Sequence, residues 1–290
     1  MTMRALLRGM GKLLLCGAIF SVGTVIGGLF VAALGLPPPP MPAGMDPESA
    51  MMAMVLQSPL LALVLAPLAR HLAAGFWGRS LMLFALAWIS NSVNTQIEAS
   101  AFYGIQAGFS YAILAFLFPI LLTSMAVAWL FPPRRAAAIT IKEQVWRRYD
   151  AKGWLWRLTL GAVLFMPIYF LFGSLVIPFT FDYYSENLYG LQIPSRDTLF
   201  GVLLIRSVLF LLACLPVILA WLGTKAQLAL GLGLALFYLV GFQALVIANW
   251  LPWAVRLPHM IEILFDEFVY AGALTWLFGH ARQAAQAPAT

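Results

Sequence analysis

Residues 258–279 read PHMIEILFDEFVYAGALTWLFG, and this stretch decides the fold class. Its length and apolar character suit a membrane-crossing helix, which takes about 20 residues rising about 1.5 Å each. Its first half nevertheless carries His259, Glu262, Asp266 and Glu267. Ionisable groups in hydrocarbon are costly and face protein partners or water. His259, Glu262 and Asp266 share one helical face, and Glu267 lies about 100° round from Asp266. The stretch therefore predicts a buried polar site inside a bundle.

The composition agrees. The chain is 62% apolar and 10% charged, against about 45–50% and about 25% for soluble globular chains. A soluble fold of 290 residues has no interior large enough for that apolar surface. The net charge of +6 is spread over short loops between apolar runs, which excludes the continuous basic face of a nucleic-acid binder. Cys16 and Cys214 both fall within apolar runs and have neither metal nor disulfide spacing.

Hydropathy predicts an all-α polytopic membrane protein, one integral membrane domain of about eight helices. The expected spans are 13–34, 51–68, 80–103, 108–131, 158–179, 199–222, 226–248 and 258–279. The first apolar run exceeds the about 7–15 residues of a signal peptide and is read as an uncleaved span. Within it, Gly23 and Gly27 form a small-xxx-small pair suited to close intramolecular packing. Four prolines at 37–40 favour an extended external loop. Residues 136–157 mix Lys and Arg with Trp and Tyr, as in a segment lying in the headgroup layer, and 282–290 form a polar tail. Span 80–103 and the last span, the two that carry the polar groups, do not occupy equivalent positions in two halves, so the sequence shows no convincing internal repeat.

Basic residues set the orientation. Of the 17 Lys and Arg, fourteen fall in segments on one side of this topology, among them Arg4, Arg8, Lys12, Arg70, Arg79, Lys152 and Lys225. Only Arg196 and Arg256 fall on the other. By the positive-inside rule, both termini are cytoplasmic. With no organelle-targeting pattern, the expected location is a bacterial inner membrane.

The partners expected for the last span lie in two others. Span 80–103 ends in SNSVNTQIEAS, where Asn91 and Glu98 stand two turns apart with Asn94 beside them. Arg206 lies about two turns inside span 199–222, where it either snorkels to the headgroups or pairs with an acid. The topology puts Glu98, Arg206, His259, Glu262 and Asp266 in the outer half of the bundle. The candidate site is thus Asn91, Asn94, Glu98, Arg206, His259, Glu262, Asp266 and Glu267.

Three readings fit this set. Buried carboxylates with a His and an Arg suit binding or transport of an ion or small solute, with proton linkage. Glu98, His259, Glu262 and Asp266 are also candidate ligands for a divalent metal, which would suit a metal-assisted or acid–base hydrolase. No feature of the sequence requires that metal. Third, the groups form a structural polar network. Four carboxylates against one deep Arg leave surplus negative charge, which favours a binding site over the network. The expected partners are the lipid bilayer and an ion or small solute, and no nucleic acid.

Overall fold

In the computed structural model, residues 2–103, 108–133 and 148–279 are described. Most of the predicted headgroup segment, the whole polar tail, and the basic residues Arg134, Arg135, Lys142, Arg147 and Arg282 lie outside them.

The chain is all-helical, and the described residues contain no strand beyond one isolated bridge. We number the α-helices α1 (Met3–Ala33), α2 (Pro47–Ala69), α3 (Phe76–Ala87), α4 (Asn94–Phe102), α5 (Phe109–Ala115), α6 (Leu117–Leu130), α7 (Ala151–Val163), α8 (Phe165–Ser185), α9 (Arg196–Leu219), α10 (Lys225–Phe237), α11 (Gln243–Ile247) and α12 (Trp253–Phe278). A π-helical turn at Trp88–Val93 joins α3 to α4, and another at Tyr238–Phe242 joins α10 to α11.

Six helical rods are long and apolar enough to cross a membrane: α1, α2, α5–α6, α7–α8, α9 and α10–α11. The protein is thus a multi-pass membrane protein. Two of the eight expected spans fall outside that six. These are the rod α3–α4, with its polar second half, and α12, with its acids. Polar residues such as Asn91 and Asn94 lower the apolarity of the first rod, and Glu262, Asp266 and Glu267 lower that of the second.

Several boundaries move. Helix α1 begins at Met3 rather than residue 13, and α7 begins at Ala151 rather than 158. Residues 151–157 of the predicted headgroup segment are thus the first turns of a long helix. Hydropathy marks where lipid begins, whereas caps mark where a helix begins, and Asp150 accepts from the Gly153 N–H at 2.7 Å. Two rods break where proline dictates. A proline ring clashes with the carbonyl four residues earlier; α5 ends at Ala115, four before Pro119, and α7 ends at Val163, four before Pro167.

Contrary to the sequence reading, the structure contains an internal repeat. The caps of α2 and α9 are Asp46 and Ser195, and those of α3 and α10 are Gly75 and Thr224, both pairs 149 residues apart. At that offset the buried positions coincide: Leu61 with Phe210, Leu65 with Cys214, Leu83 with Leu232, and Leu86 with Ala235. The two π turns coincide to within a residue. Helices α1 and α7–α8 match at 145 residues. Lys12 Nζ donates to Leu130 O at 2.6 Å and Arg157 Nε to Leu277 O at 3.0 Å, while Phe20 and Phe165 are both buried.

The halves meet on an approximate two-fold axis. Leu72 bridges Trp221, its own equivalent. Ala73 N–H donates to Ala220 O and Leu222 N–H donates to His71 O, both at 2.8 Å, and the repeat interchanges these two bonds. His71 stacks on Trp221 with ring centroids 4.7 Å apart. Basic groups gather at this bridged end. Arg79 Nη1 donates to Phe131 O at 3.2 Å and Arg148 Nη1 to Phe278 O at 3.0 Å, so both closing helices, α6 and α12, end on cations that satisfy their last carbonyls. Both halves therefore point the same way along the bundle.

Candidate functional site

Helix α12 forms the spine of the site because one of its faces is packed and polar at once. Along that face Glu262, Asp266 and Glu267 are buried, followed by Tyr270, Ala271 and Leu274 of the apolar core. The acids cannot turn to lipid without exposing this core face. They line a cavity of about 450 Å³ near the end of the bundle opposite the bridged turns. Helices α4, α8, α9 and α11 supply its other walls.

Arg206 enters from α9 and is 1% exposed, which places it among the largest fully buried side chains of the described residues. Its Nη1 donates to Glu98 Oε1 at 2.6 Å. Its guanidinium also lies 5.5 Å from the ring of Phe165 and 5.7 Å from that of Phe210, where cation–π attraction adds to the ion pair. Of the two fates expected for Arg206, snorkelling and pairing, the structure has pairing. The ion pair also joins the halves, because Glu98 belongs to the first and Arg206 to the second.

A second polar chain crosses between α8 and α12. His259 Nδ1 lies 2.7 Å from Glu262 Oε2, and its Nε2 lies 3.1 Å from the Tyr184 hydroxyl. An imidazole that donates from Nδ1 to the carboxylate accepts from the phenol at Nε2. Gly173 faces this chain, and a Cβ there would stand 3.1 Å from Glu262 Oε1. That missing side chain leaves the second Glu262 oxygen room beside α8.

Asp266 and Glu267 differ from the other acids. Asp266 Oδ1 and Glu267 Oε2 are buried and have no hydrogen-bond partner. Both residues line the cavity. Buried carboxylate oxygens without partners incur a desolvation cost that a bound cation or donor would offset.

Six of the eight expected residues meet here: Glu98, Arg206, His259, Glu262, Asp266 and Glu267. Asn91 and Asn94 do not. The π turn at Trp88–Val93 inserts residues into the helical register, so Asn91 no longer shares the face of Glu98. Asn91 Nδ2 donates instead to Leu239 O at 2.8 Å and Gln243 Oε1 at 3.1 Å, holding the two π turns together. Asn94 is fully buried outside the cavity lining. Among the metal-ligand candidates, Glu98 is committed to Arg206 and His259 to Glu262. The described residues contain no group of three or more His, Cys, Asp or Glu arranged to hold a metal ion.

The cavity wall also holds Thr95 and Tyr184, together with Tyr169 and Gly173, which the sequence reading did not single out. Tyr184 lies in the aromatic stretch FDYYSEN, whose density of rings was the available signal for an entrance. Nothing in the sequence marked Gly173. No family model, curated protein or solved structure matches the chain.

Proposed function

We propose that the chain crosses a bacterial inner membrane eight times, with both termini cytoplasmic, and that it binds and transports a small cationic solute, with proton linkage, through the acidic cavity. The observation that carries this reading is that the cavity-lining acids Asp266 and Glu267 each keep a buried carboxylate oxygen without a hydrogen-bond partner. Once the Glu98–Arg206 and His259–Glu262 pairs are set aside, these two acids remain, and a cation complements them.

The orientation rests on the bias of Lys and Arg to one side and on the basic caps at the bridged end. That end would face the cytoplasm, which places the cavity in the outer half. Two halves related by an axis along the bundle, with an ion pair across their boundary at the site, suit alternating access by rocking of one half against the other.

The test is flux in liposomes loaded with a pH-sensitive dye. Tetramethylammonium, butylammonium, sodium and potassium are each offered outside. The expected result is saturable, cation-dependent proton movement that Asp266→Asn abolishes while the yield of folded protein is kept. Equal flux in that variant, or no saturable flux of any cation in the wild type, would overturn the reading.

One observation favours an acid–base hydrolase as a second reading. The chain Tyr184–His259–Glu262 has the form of a base oriented by a carboxylate. That reading expects turnover of an ester or peptide in detergent, lost in His259→Gln, with no flux in either protein.

A further inference from the structure

The cavity lining is of two unlike kinds. One is ionisable: Glu262, Asp266, Glu267 and the Glu98–Arg206 pair. The other is a set of rings and aliphatic chains, including Phe170, Val176, Ile177, Phe181 and Leu199. A small hydrated cation needs no apolar chamber. The volume of about 450 Å³ falls in the range of about 300–1,000 Å³ typical of organic ligands and exceeds many times the about 30 Å³ of one water.

Part of the apolar lining is also exposed. Phe170, Ile177 and Phe181 line the cavity and yet are 37%, 54% and 51% exposed on the bundle surface. In a membrane that surface meets lipid tails, so these side chains form a thin wall between the cavity and the bilayer. Across the same gap, Phe170 of α8 meets Phe200 of α9 with ring centroids 5.4 Å apart.

We infer that the ligand is a single-chain amphiphile with an amine head, which enters from the outer leaflet between α8 and α9. Its ammonium sits at Asp266 and Glu267 and its chain lies along α8. The inference rests on the proposed cation site and adds the tail. A phosphate-bearing head is disfavoured because the head end carries surplus acid and its one Arg is already paired. Selectivity for the amine therefore comes from repulsion of anions as much as from attraction.

The test uses the full-length protein in phosphatidylcholine nanodiscs, with empty discs subtracted. Binding of radiolabelled dodecylamine is measured in competition with butylamine, dodecanol and dodecyl phosphate. The expected result is saturable binding of one dodecylamine per protein. Butylamine should compete at least tenfold more weakly, and dodecanol and dodecyl phosphate should not compete. Asp266→Asn should weaken binding at least tenfold, and Ile177→Trp should move the preferred amine to a shorter chain. If butylamine competes as well as dodecylamine, the tail is wrong and the cation site stands. If dodecanol or dodecyl phosphate competes equally, the amine head is wrong. If no amine binds saturably to the wild type, both this inference and the cation reading fall. The competitor series needs only the wild type, so it decides the matter even where a variant fails to fold.

Discussion

The two halves share one plan and differ in what fills it. In the first, α1 lies directly on the rod α5–α6. A Cβ at Gly27 would collide with the Ala115 carbonyl, and one at Gly23 with the Pro119 backbone. In the second half, the positions 145 residues later are Ile168 and Phe172, and Phe172 stacks on Phe265 at 5.8 Å instead of admitting backbone. Side chains rather than backbone therefore meet across α8 and α12 at these positions. The polar positions diverge too. Gln57 in α2 matches Arg206 in α9; Gln57 Nε2 donates to Gln243 O at 3.3 Å, whereas Arg206 binds Glu98. A repeated scaffold thus closes one half by backbone contact, and the other half supplies Arg206 and every ionisable group of the site except Glu98.

The comparison breaks most severely at Gly27. Gly27→Leu forces α1 off α5 and costs more than about 4 kcal/mol, enough to abolish folding. Leu at the matching position, Phe172→Leu, costs under about 1.5 kcal/mol. Fluorescence-detected size-exclusion chromatography should show a monodisperse peak only for the second. Equal behaviour would mean that the halves pack alike.

The next effect concerns the buried charge. Arg206→Met leaves Glu98 unpaired and destabilises by about 3 kcal/mol, while Gln57→Met costs about 1 kcal/mol. Thermal unfolding in detergent measures both, and adding Glu98→Gln to Arg206→Met should restore most of the loss. Failure of that restoration would remove the ion pair as the cause.

A smaller change in folding, with a specific change in binding, is expected at the unpartnered acids. Glu267→Gln should keep thermal stability within about 1 kcal/mol, because no protein hydrogen bond is lost with the unpartnered oxygen. It should weaken dodecylamine binding about tenfold. A stability loss as large as that of Arg206→Met would make Glu267 part of a structural network instead.

The smallest effect separates the caps. The Ser49 hydroxyl, with the Glu48 and Ser49 backbone, holds Asp46 below its ordinary value of 3.8, whereas Ser195, its counterpart, does not titrate. A lowered carboxyl contributes stability above its unfolded pKa and loses it as pH falls through the folded value. The protection of amides in the first turn of α2, relative to their intrinsic exchange, should therefore fall below about pH 4, while that in α9 should not. Asp46→Ser should abolish the difference.

How much of this was legible follows from the physics of each feature. The helical class and the polar residues were visible because hydropathy and charge are local properties of the chain. The glycine pair in α1 was readable as a close approach, but not its partner, since Pro119 lies about a hundred residues away. The repeat was hidden because the equivalent positions share burial and helix bounds rather than residue identity: Leu65 and Cys214 fill equivalent places, as do Gln57 and Arg206. Asn91 was misplaced because a heptad assumes unbroken 3.6-residue turns, and the π turn shifts every side chain after it.

By itself, then, the sequence determined that this chain lies in a membrane as a helical bundle and that α12 buries acids there, because desolvation costs attach to residue types wherever they stand. Only the tertiary structure decided which acids are paired, that Arg206 serves Glu98 across two halves, and that Asp266 and Glu267 line a cavity and keep buried oxygens without partners. Those outcomes depend on distances between helices far apart in the chain, which side-chain bulk sets and local pattern does not record.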